Sequence, residues 1–97
     1  MKDQCCIKEH SSKSITLIQK TAYIGSAPHT YCLRVTSSDP CRFFVTVKEE
    51  GGIGVTTPLG TDLGVATTIF ELLVEHTVAP CHLTEIVEEL LEKAVLP

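Results

Sequence analysis

Five cysteines and four histidines hold the most reactive side chains of this 97-residue chain. Cys81 is the sharpest candidate among them. It follows Pro80 at the start of a helical pattern, where free backbone N–H groups and the helix dipole favour thiolate chemistry in general. His82 comes next, but adjacent helical residues point about 100° apart. It is therefore no natural base for Cys81, and His76 or a strand histidine would have to serve. His76, Cys81 and His82 lie close along the chain and could supply three metal ligands. Structural zinc wants four. The chain has no C-x-x-C and no H-x-x-x-H spacing, and Cys5 and Cys6 are adjacent, which suits chelation poorly. The plain alternative is a half-buried structural cysteine at a helix start, with His82 bonding backbone beside it. No catalytic residue, metal site or cofactor is assigned on this pattern.

Other motifs carry less. Gly51-Gly52-Ile53-Gly54 follows Glu49-Glu50, and no Lys-Ser or Lys-Thr comes after it. Acidic neighbours would repel phosphate, so hairpin glycines are expected rather than a phosphate loop. Gly60-Thr61 opens a helix, but Asp62 already occupies its anion-favouring end. Glu85, Glu88, Glu89 and Glu92 share one face of the last helix, and paired catalytic acids need a cleft with differing environments. A solvated face is the expectation.

The elements that would position these residues change character halfway along. Residues 1–13 are polar and aperiodic, a lead-in. From Ser14 to Ile24 the residues are β-prone, although Gln19 and Lys20 interrupt the alternation. Gly25-Ser26-Ala27-Pro28 breaks that run. Tyr31, Leu33 and Val35 then alternate with Cys32, Arg34 and Thr36. Asp39-Pro40 suits a type I turn. Phe43, Val45 and Val47 alternate with Phe44, Thr46 and Lys48, and Glu50-Gly51-Gly52 supplies a second turn. Ile53 and Val55 open a short strand that Pro58 is expected to end. Predicted strands span 15–24, 30–37, 42–49 and 53–57.

After residue 60 the period shifts from two to 3.6. Ala66, Ile69, Phe70 and Leu73 form one helical stripe over 62–76. Leu63, Val65, Leu72 and Val74 widen it to roughly 200°. Thr61 or Asp62 can cap the start. Thr77 to Ala79 form a link, and Pro80 suits a first helical position. Leu83, Ile86, Val87, Leu90, Leu91 and Ala94 make a narrower stripe of about 140° over 80–94. The fold class is therefore α+β, an antiparallel meander of about four strands followed by two C-terminal helices packed on the sheet. Residues 1–97 form a single domain, with strands over 14–57 and a helical hairpin over 61–95.

Composition sets further limits. Net charge is −4 and the sequence pI about 5.5. Phosphate backbones and anionic membranes select for excess Lys and Arg, so no nucleic-acid and no membrane partner is expected. Lys2, Lys8, Lys13 and Lys20 are spread along a polar segment. With 5% aromatic residues and no Trp, the core is expected to be aliphatic. No apolar run approaches the ~20 residues of a membrane span. The first residues lack the apolar core of a signal peptide. Five cysteines at irregular spacing then point to reduced thiols in a cytoplasmic setting.

The segment Ala79-Pro80-Cys81-His82-Leu83-Thr84-Glu85-Ile86-Val87-Glu88-Glu89-Leu90-Leu91 resembles the ending of a family of short, uncharacterised bacterial proteins common in clostridial relatives. Members close with Ser-Pro-x-His-Leu, then Asp-Val-Val-Glu-Asp-Phe-Leu. Thr61-Asp62 and Leu72-Leu73 match the start and body of the preceding helix, and Tyr31 a Tyr-Gly-Ile-type strand. The likeness spans residues 31 to 92, with Pro80-x-His82-Leu83 its most specific part. The chain departs at Ala79, at Thr84-Glu85 and at Glu89-Leu90. The resemblance implies a small cytoplasmic bacterial protein and supplies no catalytic residue.

Together these patterns favour a non-enzymatic protein-interaction module that self-associates. The wide apolar arc of the first helix, through Leu63, Val65, Leu72 and Val74, would lie in a homodimer interface. The alternative is a small thiol- or metal-dependent regulator using Cys81, His82 and His76. No cofactor or small-molecule ligand is indicated. Titration of thiols in freshly purified, denatured protein should find all five cysteines free. A protected pair would count against a reducing compartment.

Overall fold

Period-two alternation commits the first half of the chain to strands, and a computed structural model, describing residues 14–37 and 41–95, shows how they pair. β1 (Ser14–Ile24), β2 (Ala27–Thr36), β3 (Phe43–Glu49) and β4 (Gly54–Gly60) form one four-stranded sheet. Its order is β1-β2-β3-β4, each strand antiparallel to the next. Helices α1 (Leu63–Glu75) and α2 (Pro80–Val95) follow and pack on one face. The fold is the expected α+β meander with two C-terminal helices. Residues 1–13, 38–40 and 96–97 lie outside the described residues, and with them the expected lead-in and the expected Asp39-Pro40 turn.

Two strands depart from their predicted bounds by more than one residue. β2 begins at Ala27, because Gly25-Ser26 alone makes the turn between paired Ile24 and Ala27. Gly25 sits at φ 66°, the backbone a two-residue hairpin of this kind demands. β4 runs through Pro58 to Gly60 instead of stopping at the proline. It is an edge strand, where a missing N–H can face outward without breaking the ladder. The uneven pattern of β1 also has a cause. The register slips between Thr16 and Ile18, so Leu17 is the extra residue of a bulge.

One sheet face builds the core. Tyr31, Leu33, Val45, Val47 and Leu59 are buried there against Ala66, Ile69, Phe70 and Leu73 of α1, with Leu83 and Val87 of α2. The aliphatic expectation needs amending, since Tyr31, Phe43 and Phe70 join the core. The ends of α1 follow from its flanking residues. The Asp62 carboxylate accepts the Val65 N–H at 2.9 Å, and the Asp62 carbonyl accepts Ala66 N–H. At the other end Val78 N–H donates to Leu73 O and Thr77 N–H to Val74 O. That is a Schellman closure with Thr77, at φ 47°, in the position glycine usually takes.

α2 lies chiefly over β4 and meets β3 and α1 as well. Only Leu83 and Val87 of its stripe are fully buried; Ile86, Leu90 and Leu91 are half-buried. The helix lies at the margin of its layer, so the outer part of the stripe has no wall. Ala94 lies outside the described side chains. Thr84 anchors the inner side, its hydroxyl 3.0 Å from that of buried Thr57. Leu83→Ala is expected to cost about 2–5 kcal/mol in chemical denaturation. Glu88→Ala, on the exposed face, should cost under about 0.5 kcal/mol. Equal losses would refute this assignment of faces.

A second long-range polar bond ties the sheet to the link between the helices. The Tyr31 hydroxyl, buried under the helix corner, donates to Val78 O at 2.9 Å. Burial raises the phenol pKa above its ordinary value of 10.0. The native state therefore holds this proton more tightly than the unfolded chain does. The stabilisation is complete below pH 10.0 and is lost as pH rises through the raised native value. Tyr31→Phe should lower neutral-pH stability by about 0.5–3 kcal/mol, since it strips a buried carbonyl of its donor. It should also flatten the alkaline limb of the stability curve, measured by urea unfolding from pH 8 upward. An unchanged limb would show that another group sets it.

Candidate functional site

The reactive residues singled out by type are exposed at the helix ends. Cys81 lies in the first turn of α2 and is exposed, not half-buried. His82 is also exposed, and its backbone N–H donates to Ala79 O at 3.0 Å. His76 caps the C-terminus of α1 through its own N–H to Leu72 O. Among the described residues no group of three His, Cys, Asp or Glu side chains is placed to hold a metal ion. Cys5, Cys6 and His10 lie outside those residues.

The strand histidine left open above as a base for Cys81 is His29. His29 is buried on β2, directly opposite Glu49 on β3. Its Nδ1 lies 3.0 Å from Ala27 O, so in the neutral ring Nδ1–H donates and Nε2 remains an acceptor. His29 and Cys81 line a shallow hollow of about 690 Å³ walled by Ile24, Ile53, Val55 and Pro80. No hydrogen bond joins the two among the described residues, so the hollow has the components of a thiol–imidazole pair without the coupling that activates one. Position alone could have hinted at His29, because it shares parity with Tyr31 and Leu33.

The sheet face away from the helices is different in kind. It presents Thr16, Thr21, Thr30, Thr36, Thr46 and Thr56, with Phe44 half-buried among them. Arg34 donates through Nη2 to Ser14 Oγ, and its buried Nε has no partner. A small hollow of about 210 Å³ beside it is lined by Phe44, Thr46 and Thr56 as well. The Thr46 and Thr56 hydroxyls satisfy each other at 2.9 Å. These side chains suit a solvated β surface.

The acidic residues Glu85, Glu88, Glu89 and Glu92 are exposed along α2, as a solvated face should be. Gly51, at φ 77°, makes the β3–β4 turn, closed by Gly52 N–H to Glu49 O. Neither motif forms an enclosed site.

The two apolar flanks of α1 have separate surroundings. Val65 and Leu72 are half-buried and line a groove of about 350 Å³ with Leu90 and Lys93 of α2. Leu63 and Val74 lie on the opposite flank, turned away from α2. Val74 packs partly on the core, and Leu63 is 54% exposed. Ile15 and Leu17 on β1 are exposed too, at 59% and 45%. Ile15 pairs with Val35, Val35 with Phe43 and Phe43 with Gly60, just ahead of α1. Ile15 and Leu63 therefore sit at one end of the sheet. In comparisons with known proteins the chain matches no family model, no curated protein and no solved structure. No helix among the described residues is long and apolar enough to cross a membrane.

Proposed function

We propose that this chain is a non-enzymatic interaction module that binds a second copy of itself. The observation that carries this reading is that Ile15, Leu17 and Leu63 are all exposed at the same end of the sheet. Covering a side chain of this size contributes about 1.5–3 kcal/mol, and a two-fold interface uses the same exposed residues of both copies. Of the four interface candidates, Val65 and Leu72 are partly satisfied by α2, while Leu63 and Val74 remain on the outward flank. The resemblance of residues 79–91 to small bacterial proteins supports a bacterial, cytoplasmic setting for such a homodimer.

A thiol- or metal-dependent regulator using Cys81, His82 and His76 is the second reading. The observation in its favour is the exposed Cys81 beside the His29 hollow. Elemental analysis for zinc in the purified protein separates it from the first.

Sedimentation equilibrium at micromolar concentration should give twice the chain mass of 10.6 kDa. Leu63→Glu puts a charge in the interface without touching the core and should weaken the dimer about tenfold or more. A wild-type monomer would sink the self-association reading.

A further inference from the structure

The sheet has two edges, and they are built differently. β4 carries Pro58 within it and glycine at both ends, and α2 packs against it. A proline and short length are ways natural edges refuse another strand. β1 is longer, 11 residues against 7, and contains neither proline nor glycine. Among the described residues nothing pairs with its outer side. It also carries Ile15, Leu17 and Tyr23, all exposed. The Leu17 bulge interrupts regular pairing at one point only, leaving Ile18–Ile24 in unbroken register.

Resting on the self-association reading, we propose that β1 is the seam of the dimer, pairing antiparallel with the partner's β1 about a two-fold axis at Thr21. The register follows from the side chains. Centring on Lys20 would set two ammonium groups directly opposite each other, which is destabilising. Centring on Gln19 would push the Leu17 bulge into the ladder, and centring on Ala22 would shorten it. With Thr21 on the axis, Lys20 faces the small side chain of the partner's Ala22, and Ile18 faces the partner's Ile24 on the helix side. Gln19 faces the partner's Tyr23, and the two Thr21 hydroxyls meet, on the open side.

The axis is perpendicular to the sheet, so both helix layers stay on one side. The two α1 helices then run antiparallel, and Leu63 lies toward the end of α1 that carries the partner's Val74. The flank of α1 that α2 leaves uncovered is the one turned toward this seam. It also leaves only the two β4 edges at the ends of the joined sheet, so association stops at two copies.

Because Thr21 is exposed and opposes itself across the axis, a charge there repels its own copy. Thr21→Asp and Thr21→Lys should each sediment as monomers at concentrations where wild type is a dimer, a loss of about tenfold or more in affinity. An equimolar mixture of the two should recover a heterodimer. Thr56→Asp, on the same open face of β4, should leave the wild-type mass unchanged. Wild-type dimers whose Thr21 variants also remain dimers overturn the seam and leave self-association standing. A wild-type monomer overturns both. If a Thr21 variant fails to fold, amide exchange in the wild type decides. Protection over Ile18–Ile24 should rise with protein concentration while β4 is unchanged, and concentration-independent exchange over β1 overturns the seam.

Discussion

The bond from Tyr31 to Val78 O is the point on which the helix layer is registered against the sheet. Tyr31 stands on one of the two central strands, so its ring is enclosed by apolar neighbours and its hydroxyl must find an acceptor inside the protein. The acceptor is a carbonyl in the link between α1 and α2. That carbonyl is aimed inward because the Schellman closure turns the chain sharply after Val74. Thr77 adopts a left-handed backbone that a β-branched residue tolerates at a cost of about 1–3 kcal/mol. Burial of Val78 and the Tyr31 bond offset that strain, and Pro80 then starts α2 in its covering direction.

The two faces of the sheet divide the remaining labour. Odd-numbered residues of β2, β3 and β4 turn toward the helices and, Glu49 excepted, are buried or half-buried, and even-numbered ones meet solvent as threonines, Cys32, Arg34, Phe44 and Lys48. Threonine serves this second surface well, since its branched carbon favours the strand and its hydroxyl stays hydrated. Two cations and no acid stand on the strand residues of that face, in a chain whose net charge is −4. The acids collect on α2 instead, so the two broad surfaces of the molecule differ in sign.

Much of this was legible from residue order. The change of period near residue 60 marked the step from sheet to helices. Asp62 and Pro80 marked the helix starts. Tyr31, Leu33, Val45 and Val47 marked the buried face, because parity is a direct readout of side-chain direction in a strand. What stayed hidden depended on neighbours that residue order does not name. Pro58 could continue β4 only because that strand is an edge. Ile86, Leu90 and Leu91 are half-buried because α2 lies at the rim of its layer, which no helical wheel records. His29 looked polar, yet parity with Tyr31 carries it inward. For the site, the surplus of apolar residues on α1 was visible, but which flank α2 would claim was not. The spacing of His76, Cys81 and His82 suggested a cluster, and among the described residues no three such side chains are placed to hold a metal ion.

Strand order that follows chain order has a consequence for synthesis. Each strand can pair with its predecessor as soon as it emerges, because every hairpin closes over a short stretch of chain. The lid arrives last. Until the final third of the chain is made, Leu33, Val45, Val47 and Leu59 form an uncovered apolar plate, and the Tyr31 hydroxyl waits for a carbonyl 47 residues downstream. Any sheet formed by a chain that stops before α1 would expose this apolar side, a surface prone to capture by chaperones or by its own neighbours.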